Sequence, residues 1–436
     1  MLCGHRALRP LGRYTPPNQK KNMIEPRRIT VIGAGIIGVC CASYLQRDGH
    51  VVTLIDRDEP GSGCSFGNAG LLSPGSVTTA AQPGTWRKVP GWLMDPLGPL
   101  AIRWRHLPGM LPWLSAWLRS CREENVRAAS QALRALHAPV FDNYAPLLAA
   151  AGAEDLIRRV GQLYVSAQEG GATGSALVRE LREAAGVRTE VLQGGAIREL
   201  EPALGPQYRS ALLFPDNGHS VNSYRLVQVL AEAFRRAGGT VLRRSVRGFD
   251  AGPHGPRRLL TNDGALDVET LVIAAGPWSA RLTAQLGMRF PLEAERGYHL
   301  MLSDPAVMPR LPIVNRDFNF TTTPMENGLR FAGTAEFAGL DAPPDYRRAQ
   351  SLLAQARNML PGLADGAGTP WMGSRPSLPD GLPIIDRAPQ FGNVFLAFGH
   401  AHFGLTEAPT TGKLIADLVS GRPSTLDLAP YSATRF

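Results

Sequence analysis

The stretch Ile29-Thr30-Val31-Ile32-Gly33-Ala34-Gly35-Ile36-Ile37-Gly38-Val39 decides the fold. Four strand-forming residues run straight into a Gly-x-Gly-x-x-Gly turn, and a helical pattern continues from Val39 to Arg47. Asp48-Gly49-His50 breaks that helix, and Val51-Val52-Thr53-Leu54-Ile55 forms a second strand that ends on Asp56. Strand, tight turn, helix, strand and terminal acid make up the first βαβ unit of a dinucleotide-binding Rossmann fold. Gly33 permits the turn, Gly35 lets backbone approach a pyrophosphate, and Gly38 lets the helix pack closely on the strand. The N–H groups of Ile36 and Ile37 lie at a helix N-terminus, where the dipole favours phosphate. Asp56 is placed to accept hydrogen bonds from ribose hydroxyls. FAD and NAD(P) both satisfy this unit.

The chain has 436 residues, longer than one compact domain usually runs, so two domains are expected. Its apolar fraction of 44% and charged fraction of 19% are those of a soluble globular protein. No run of uncharged apolar residues is long enough for a transmembrane helix. The five cysteines, Cys3, Cys40, Cys41, Cys64 and Cys121, form no CxxC pair. That pattern argues against a disulfide framework, a zinc site or an iron–sulfur cluster, so no metal is expected, and a reducing, cytoplasmic compartment fits. The net charge of +9 is concentrated at the start: residues 1–28 hold seven basic residues against Glu25 alone, leaving +3 for the remainder. The body is nearly balanced, and no nucleic-acid partner is expected. Residues 1–27 read as a disordered basic extension. They faintly resemble a transit peptide, and an over-long start ahead of Met23 is an equally simple explanation.

Beyond Asp56 the loop Arg57–Ser76 is rich in glycine and small residues, as befits backbone lying against something flat or charged. Residues 85–120 hold Trp86, Trp92, Trp104, Trp113 and Trp117 among prolines and basic residues. Two readings stand open: a patch touching a membrane surface or quinone, or an irregular helical lobe whose tryptophans pack inside or line a substrate cavity. Helical patterns follow over 122–151 and 178–185, with a strand at Gln162–Ser166 between them. A helix over 224–237 is expected with Ser223 as its N-cap, then a strand from Thr240 and a buried-type strand over 268–275. From residue 289 the pattern turns to sheet, with strands at 298–302, 318–323 and 329–334 and a turn at Asn327-Gly328. A helix over 346–360, a strand over 394–398 and a helix over 408–419 complete the reading.

Several further motifs are specific together. They are Ser65-Phe66-Gly67-Asn68-Ala69-Gly70, Val272-Ile273-Ala274-Ala275-Gly276-Pro277-Trp278-Ser279, Arg296-Gly297-Tyr298-His299, Arg375-Pro376-Ser377-Leu378-Pro379-Asp380-Gly381 and Gly399-His400-Ala401-His402-Phe403-Gly404-Leu405-Thr406. With the opening unit they make the chain resemble the FAD-dependent D-amino acid oxidase and dehydrogenase superfamily, nearest to bacterial D-amino acid dehydrogenases and D-hydroxyproline dehydrogenases. The resemblance implies an α/β (α+β) architecture: a discontinuous Rossmann-type FAD-binding domain (28–84, 170–288 and 371–436) and a second, antiparallel-sheet substrate or cap domain (85–169 and 289–370). It implies non-covalent FAD, and no cysteine after Cys121 is present to carry a covalent flavin. The residues it assigns to the cofactor are Gly33, Gly35, Ile36, Ile37, Gly38, Asp56, Arg57, Ser65, Asn68, Ala69, Gly70, Leu71, Val246, Ala275, Gly276, Trp278, Gly399, His400, Phe403, Gly404, Leu405 and Thr406.

The chemistry implied is oxidation of a D-amino acid, with D-proline or hydroxy-D-proline among the candidates. Hydride passes from Cα to flavin N5, and the electrons go to a quinone or other acceptor. Peripheral contact with the inner membrane stays open, as does oligomeric state. A glycine- or sarcosine-type secondary-amine oxidase is the alternative, and a flavin-bearing subunit for assembly or electron relay is the rival from another class. Such a site needs a cation for the substrate carboxylate. Related dehydrogenases place an arginine in the strand before the Asn-Gly turn, where this chain reads Thr321-Thr322-Thr323-Pro324. The expectation therefore falls on Tyr298 and His299, with Arg375, Arg316 or Arg296 as cationic partner and His402 near the flavin.

Overall fold

The computed structural model describes residues 25–436, so the extension expected over 1–27 lies almost wholly outside the described residues. The opening unit forms a strand Arg28–Ile32, a helix Ile36–Arg47 and a strand Val51–Asp56. They belong to a six-stranded sheet ordered Thr240–Arg243, Val51–Asp56, Arg28–Ile32, Thr270–Ile273, Val394–Phe398, Ile384–Arg387. The first five strands run parallel and the last is antiparallel. Chain order reverses between Arg28–Ile32 and Thr270–Ile273, and the crevice beyond the carboxyl ends of such strands is where ligands bind in this class of sheet. Helix Ile36–Arg47 is clasped between Gly404–Val419 and Ser223–Arg236, and its small face explains the fit: a Cβ at Gly412 would meet the Cys40 carbonyl at 2.6 Å.

A second, larger sheet has nine strands and is mostly antiparallel. Its path runs Thr369–Ser377, Glu293–Leu302, Gly328–Phe337, Phe320–Met325, Ile313–Asn315, Gln162–Ser166, Ser210–Phe214, Glu190–Gln193, with Leu100–Ile102 pairing beside Gly328–Phe337. Helix Arg347–Met359 covers one face through Ala349, Leu352, Leu353 and Ala356, which pack on Tyr298, Leu300 and Phe331. Segment 170–288 is therefore split: its strands Glu190–Gln193 and Ser210–Phe214 join the large sheet, while Thr240–Arg243 and Thr270–Ile273 join the parallel one.

Local signals place most elements within a residue or two. One detail differs. The cap of Ser223–Arg236 is Asn222, whose side chain accepts from the Arg225 N–H, while Ser223 is the first helical residue and its hydroxyl lies by the Phe66 carbonyl. Helix Gly404–Val419 begins a turn earlier than its apolar pattern suggests; Pro409 in its second turn gives the Leu405 carbonyl no helical partner, and the buried Tyr144 hydroxyl donates to it instead. The stretch 122–151 is two helices, Glu123–His137 and Val140–Ala151, divided at Pro139.

Candidate active site

One continuous cavity of about 1630 Å³ extends from the Gly33 turn, along the loop Arg57–Ala69, to a chamber between the two sheets. That exceeds the volume of an ordinary small-ligand pocket and suits a large cofactor together with a substrate.

At its nucleotide end the backbone is bare for a reason. A Cβ at Gly33 would strike the Ala274 carbonyl at 2.3 Å, and one at Gly38 would strike the Gly33 carbonyl at 1.7 Å, so these glycines serve packing. Gly35 and Gly276 differ. A Cβ at Gly276 would meet nothing within 4 Å, and one at Gly35 only Ser65 Oγ at 3.4 Å, yet both line the cavity. They form a cradle that side chains would fill. Ser65 Oγ accepts from the Ile36 N–H, while Ile37 and Gly38 in the first helical turn have no intrahelical acceptor. Asp56 accepts from the N–H groups of Ala34 (2.7 Å) and Asp58 (3.1 Å), and burial pushes its carboxyl up. Each oxygen keeps a second lone pair for a ribose hydroxyl. Arg57 stacks over Trp278 at 4.0 Å beside Val246 and Ala275, giving a flat wall at the far end.

The loop Ser65–Pro74 crosses the cavity midway and is anchored from three sides. Arg330, itself buried, sends Nη1 to the carbonyls of Asn68 (2.5 Å) and Phe66 (3.2 Å), and burial lowers its pKa to about 10. Asn68 Oδ1 caps the turn by accepting from the Gly70 N–H. Gln162, fully buried, donates to the carbonyls of Leu72 and Gly218 and accepts from Ser73 Oγ and Asn217 Nδ2. The Ser73 N–H reaches Thr406 Oγ1 in helix Gly404–Val419. Ala69 and Leu71 face the cavity between these anchors.

Helix Gly404–Val419 aims its N-terminus at the same space, with Phe403, Gly404, Leu405 and Thr406 on the wall and Phe403 packed 4.7 Å from His137. Gly399 turns with φ +92°, and a Cβ there would meet Leu378. His400 is buried with Nε2 2.9 Å from Thr411 Oγ1, and burial lowers it to about 3, so it is a neutral structural ring at the cavity wall. Three of the four described non-glycine residues with positive φ, namely Asn319, Thr334 and Ala401, line the cavity, so backbone strain is concentrated at this site.

The substrate-side candidates separate by strand alternation. Along Glu293–Leu302 the residues 295, 297 and 299 share one face, and 296 and 298 share the other. Tyr298 borders the cavity but its hydroxyl is engaged on the far side of the strand, and Arg296 is not among the lining residues. The Tyr298 hydroxyl donates to Glu336 Oε2 (2.5 Å) and accepts from the Asp345 N–H, while fully buried Arg296 lies 3.3 Å from the same Glu336 oxygen. His299 supports the loop: Nδ1 donates to the Gly67 carbonyl and the ring stacks on Trp371. Burial, with Arg330 nearby, lowers it to about 3, so it is neutral. Arg375 and His402 do line the chamber, and a carboxylate that sequence reasoning missed, Glu295, joins them. Arg316 also lines the chamber and makes no ion pair or side-chain hydrogen bond with the described residues. Thr322 and Thr323 hydroxyls are buried without partners, and Arg330 is paired opposite Thr323, so the neighbouring strand places its guanidinium behind the loop and not in the chamber.

Comparison with known proteins agrees with this construction. The family model described as FAD dependent oxidoreductase matches residues 28–418, and the chain belongs to that family. FAD is thus its cofactor, and the cradle at Gly35 and Gly276, the flanking helix N-termini and Asp56 fit that group. A D-amino-acid oxidase of Bradyrhizobium diazoefficiens is 40% identical over 95% of this chain and 100% of the relative. D-amino acid dehydrogenase 2 of Mesorhizobium japonicum is 33% identical over 92% of this chain and 98% of its own length. Glycine oxidase from Geobacillus kaustophilus shares the fold with a TM-score of 0.74 at 23% identity, covering 94% of this chain and 99% of that one.

Proposed function

We propose that this protein oxidises a D-amino acid to its imino acid, which water then hydrolyses to a keto acid. The observation that carries this reading is the pairing of an FAD site with a chamber whose polar wall is Arg375, Glu295 and His402. The names of the relatives 33–40% identical over nearly the whole chain point the same way. When bound, FAD supplies the two-electron acceptor for hydride leaving Cα.

The chain's own residues bind and orient. Arg375 Nη1 is held by Glu295 Oε1 (2.9 Å) and the Thr334 carbonyl (3.2 Å), which fixes the guanidinium plane over Gly297. Its remaining N–H groups are the donors we assign to the substrate carboxylate, with Arg316, also on the cavity wall, as a second cation. The helix N-terminus at Gly404 directs N–H groups into the cavity, where negative charge develops on reduction. Anaerobic mixing with D-amino acids, including D-proline and hydroxy-D-proline, tests the reading: loss of the flavin absorbance band with at least one of them is expected.

We assign the lobe 85–120 to the electron acceptor side. Trp92, Trp113 and Trp117 line the chamber, while Trp86, Trp104 and Met94 lie on the outside with Arg87, Lys88 and Arg105 beside them. Outward aromatics flanked by cations suit the interface of an anionic membrane carrying a quinone. Among the described residues no helix is long and apolar enough to cross a membrane. Cosedimentation with anionic vesicles is expected and should fall at least several-fold in the double variant Trp104→Ser, Met94→Ser; equal sedimentation of both proteins, or of neither, contradicts this assignment.

A further inference from the structure

Glu295 is the centre of a cluster drawn from three segments. Its Oε1 accepts from His402 Nε2 at 2.6 Å and from Arg375 Nη1 at 2.9 Å, and its Oε2 accepts from Ser377 Oγ at 2.9 Å. Glu295 itself is buried, whereas about half of the His402 side chain (49%) is open to the chamber. Burial alone would push the Glu295 carboxyl up. His402, Arg375 and Ser377 outweigh it and hold the group well below its usual range, so it is ionised at neutral pH. An ionised carboxylate only accepts hydrogen bonds, so Nε2 carries a proton, and in the singly protonated ring the lone pair is on Nδ1. Nδ1 has no protein partner among the described residues. An imidazole fixed by a carboxylate on one nitrogen and free on the other, at the wall of a chamber, has the geometry of a general base with its orienting group.

We propose that His402 Nδ1 takes the proton of the substrate's α-ammonium group, with Glu295 as the positioning residue that sets its tautomer. This rests on the reading of the protein as an amino-acid oxidant. An amino acid arrives at neutral pH as the ammonium form, and its nitrogen has no free pair. That pair must be available before Cα gives up hydride, because it becomes the second bond of the imine. In the step proposed, one N–H bond of the ammonium breaks, its electron pair stays on nitrogen, and the proton forms a bond to Nδ1. Nothing is oxidised or reduced. The resulting imidazolium stands against the Glu295 carboxylate, and the open side of the ring gives the proton a route to solvent. Arg375, as a neighbouring cation, disfavours the ammonium, while the Glu295 carboxylate in contact with the ring favours the imidazolium that takes its proton. The other titratable and charged groups near the cluster are Cys64 beside Arg375, which burial raises to about 11, and Arg316 and Asp317 elsewhere on the chamber wall.

The test uses the holoenzyme and His402→Gln, which keeps a donor for Glu295 and removes the second nitrogen. In rapid anaerobic mixing with a D-amino acid that reduces the wild type, the variant should reduce about 100-fold more slowly at pH 7. The deficit should close as pH rises towards the substrate amine's own pKa, where no base is needed. A second readout needs no turnover. With histidine labelled in its ring nitrogens, binding of 2-aminoisobutyrate, which has no Cα–H, should move the signal that His402→Gln deletes from neutral imidazole to imidazolium. A variant that is unimpaired, or slowed by the same factor at every pH, overturns the proposal, as does an imidazole signal that stays neutral on binding. Failure of the wild type to be reduced by any D-amino acid would instead overturn the reading beneath it.

Discussion

Arg375 shows how a single side chain is made specific by its neighbours. Its charge is partly offset by Glu295, and its Nη1 is occupied, so only one edge is left to grip a carboxylate in a fixed plane. Arg375→Met removes that grip and leaves Glu295 without its strongest fixed cation. The expected outcome is a rise in KM of at least about 100-fold, equivalent to about 3 kcal/mol for a charge-assisted pair. If Arg316→Met carries that loss and Arg375→Met does not, the carboxylate lies at Arg316 instead. Sequence reasoning reached Arg375 and His402 through motifs, and it also chose Tyr298 and His299, which are adjacent in a strand and send their side chains to opposite faces, Tyr298 to Glu336 and His299 to the Gly67 carbonyl. The period-2 rule, applied to Glu293-Ala294-Glu295-Arg296, would have put Glu295 on the same face as His299. What it could not reveal was that Arg375 and His402, 80 and 107 residues further on, converge on that carboxylate.

Among elements, the loop Ser65–Pro74 is the one whose position is borrowed from elsewhere. Its glycines announced a flat neighbour, but nothing local said what would hold it. The holders are Arg330 and Gln162, each a polar residue in a buried strand of the other sheet. Gln162 satisfies four groups at once, and replacing it by leucine strands two carbonyls, a hydroxyl and an amide in a buried place. Gln162→Leu should cost about 3 kcal/mol, lower the melting temperature of the holoenzyme and release flavin at lower temperature. Unchanged melting and flavin retention would show that the network is not what fixes the loop. The strand–turn–helix unit at the start was legible because the signals that define it, two apolar runs, the glycine turn and Asp56, lie between Ile29 and Asp56. The large sheet was legible strand by strand but not in order, since its path pairs Ile313–Asn315 with Gln162–Ser166 across about 150 residues.

At the scale of the molecule, two sheets share one cavity, and three histidines are buried in the fold, one of them, His400, at the cavity wall. His219, His299 and His400 are lowered to about 4, 3 and 3, by burial first, with Arg158 beside His219 and Arg330 beside His299 adding to it. Below the unfolded value near 6.5 the unfolded chain takes up protons that the folded chain refuses, so each histidine destabilises the fold as pH falls from about 6.5 towards its folded value. His219→Gln removes one such group. Relative to wild type, the variant should gain about 1 kcal/mol in unfolding free energy between pH 7 and pH 5.5; a difference independent of pH would contradict the assignment of a neutral buried ring.

The most direct measurement of the whole account is anaerobic mixing of the holoenzyme with a panel of D-amino acids, their L-enantiomers, glycine and sarcosine. Rapid bleaching of the flavin band by one or more D-amino acids, with the matching L-forms silent, is the predicted result. Bleaching by none of the D-amino acids, or by glycine or sarcosine alone, would contradict it.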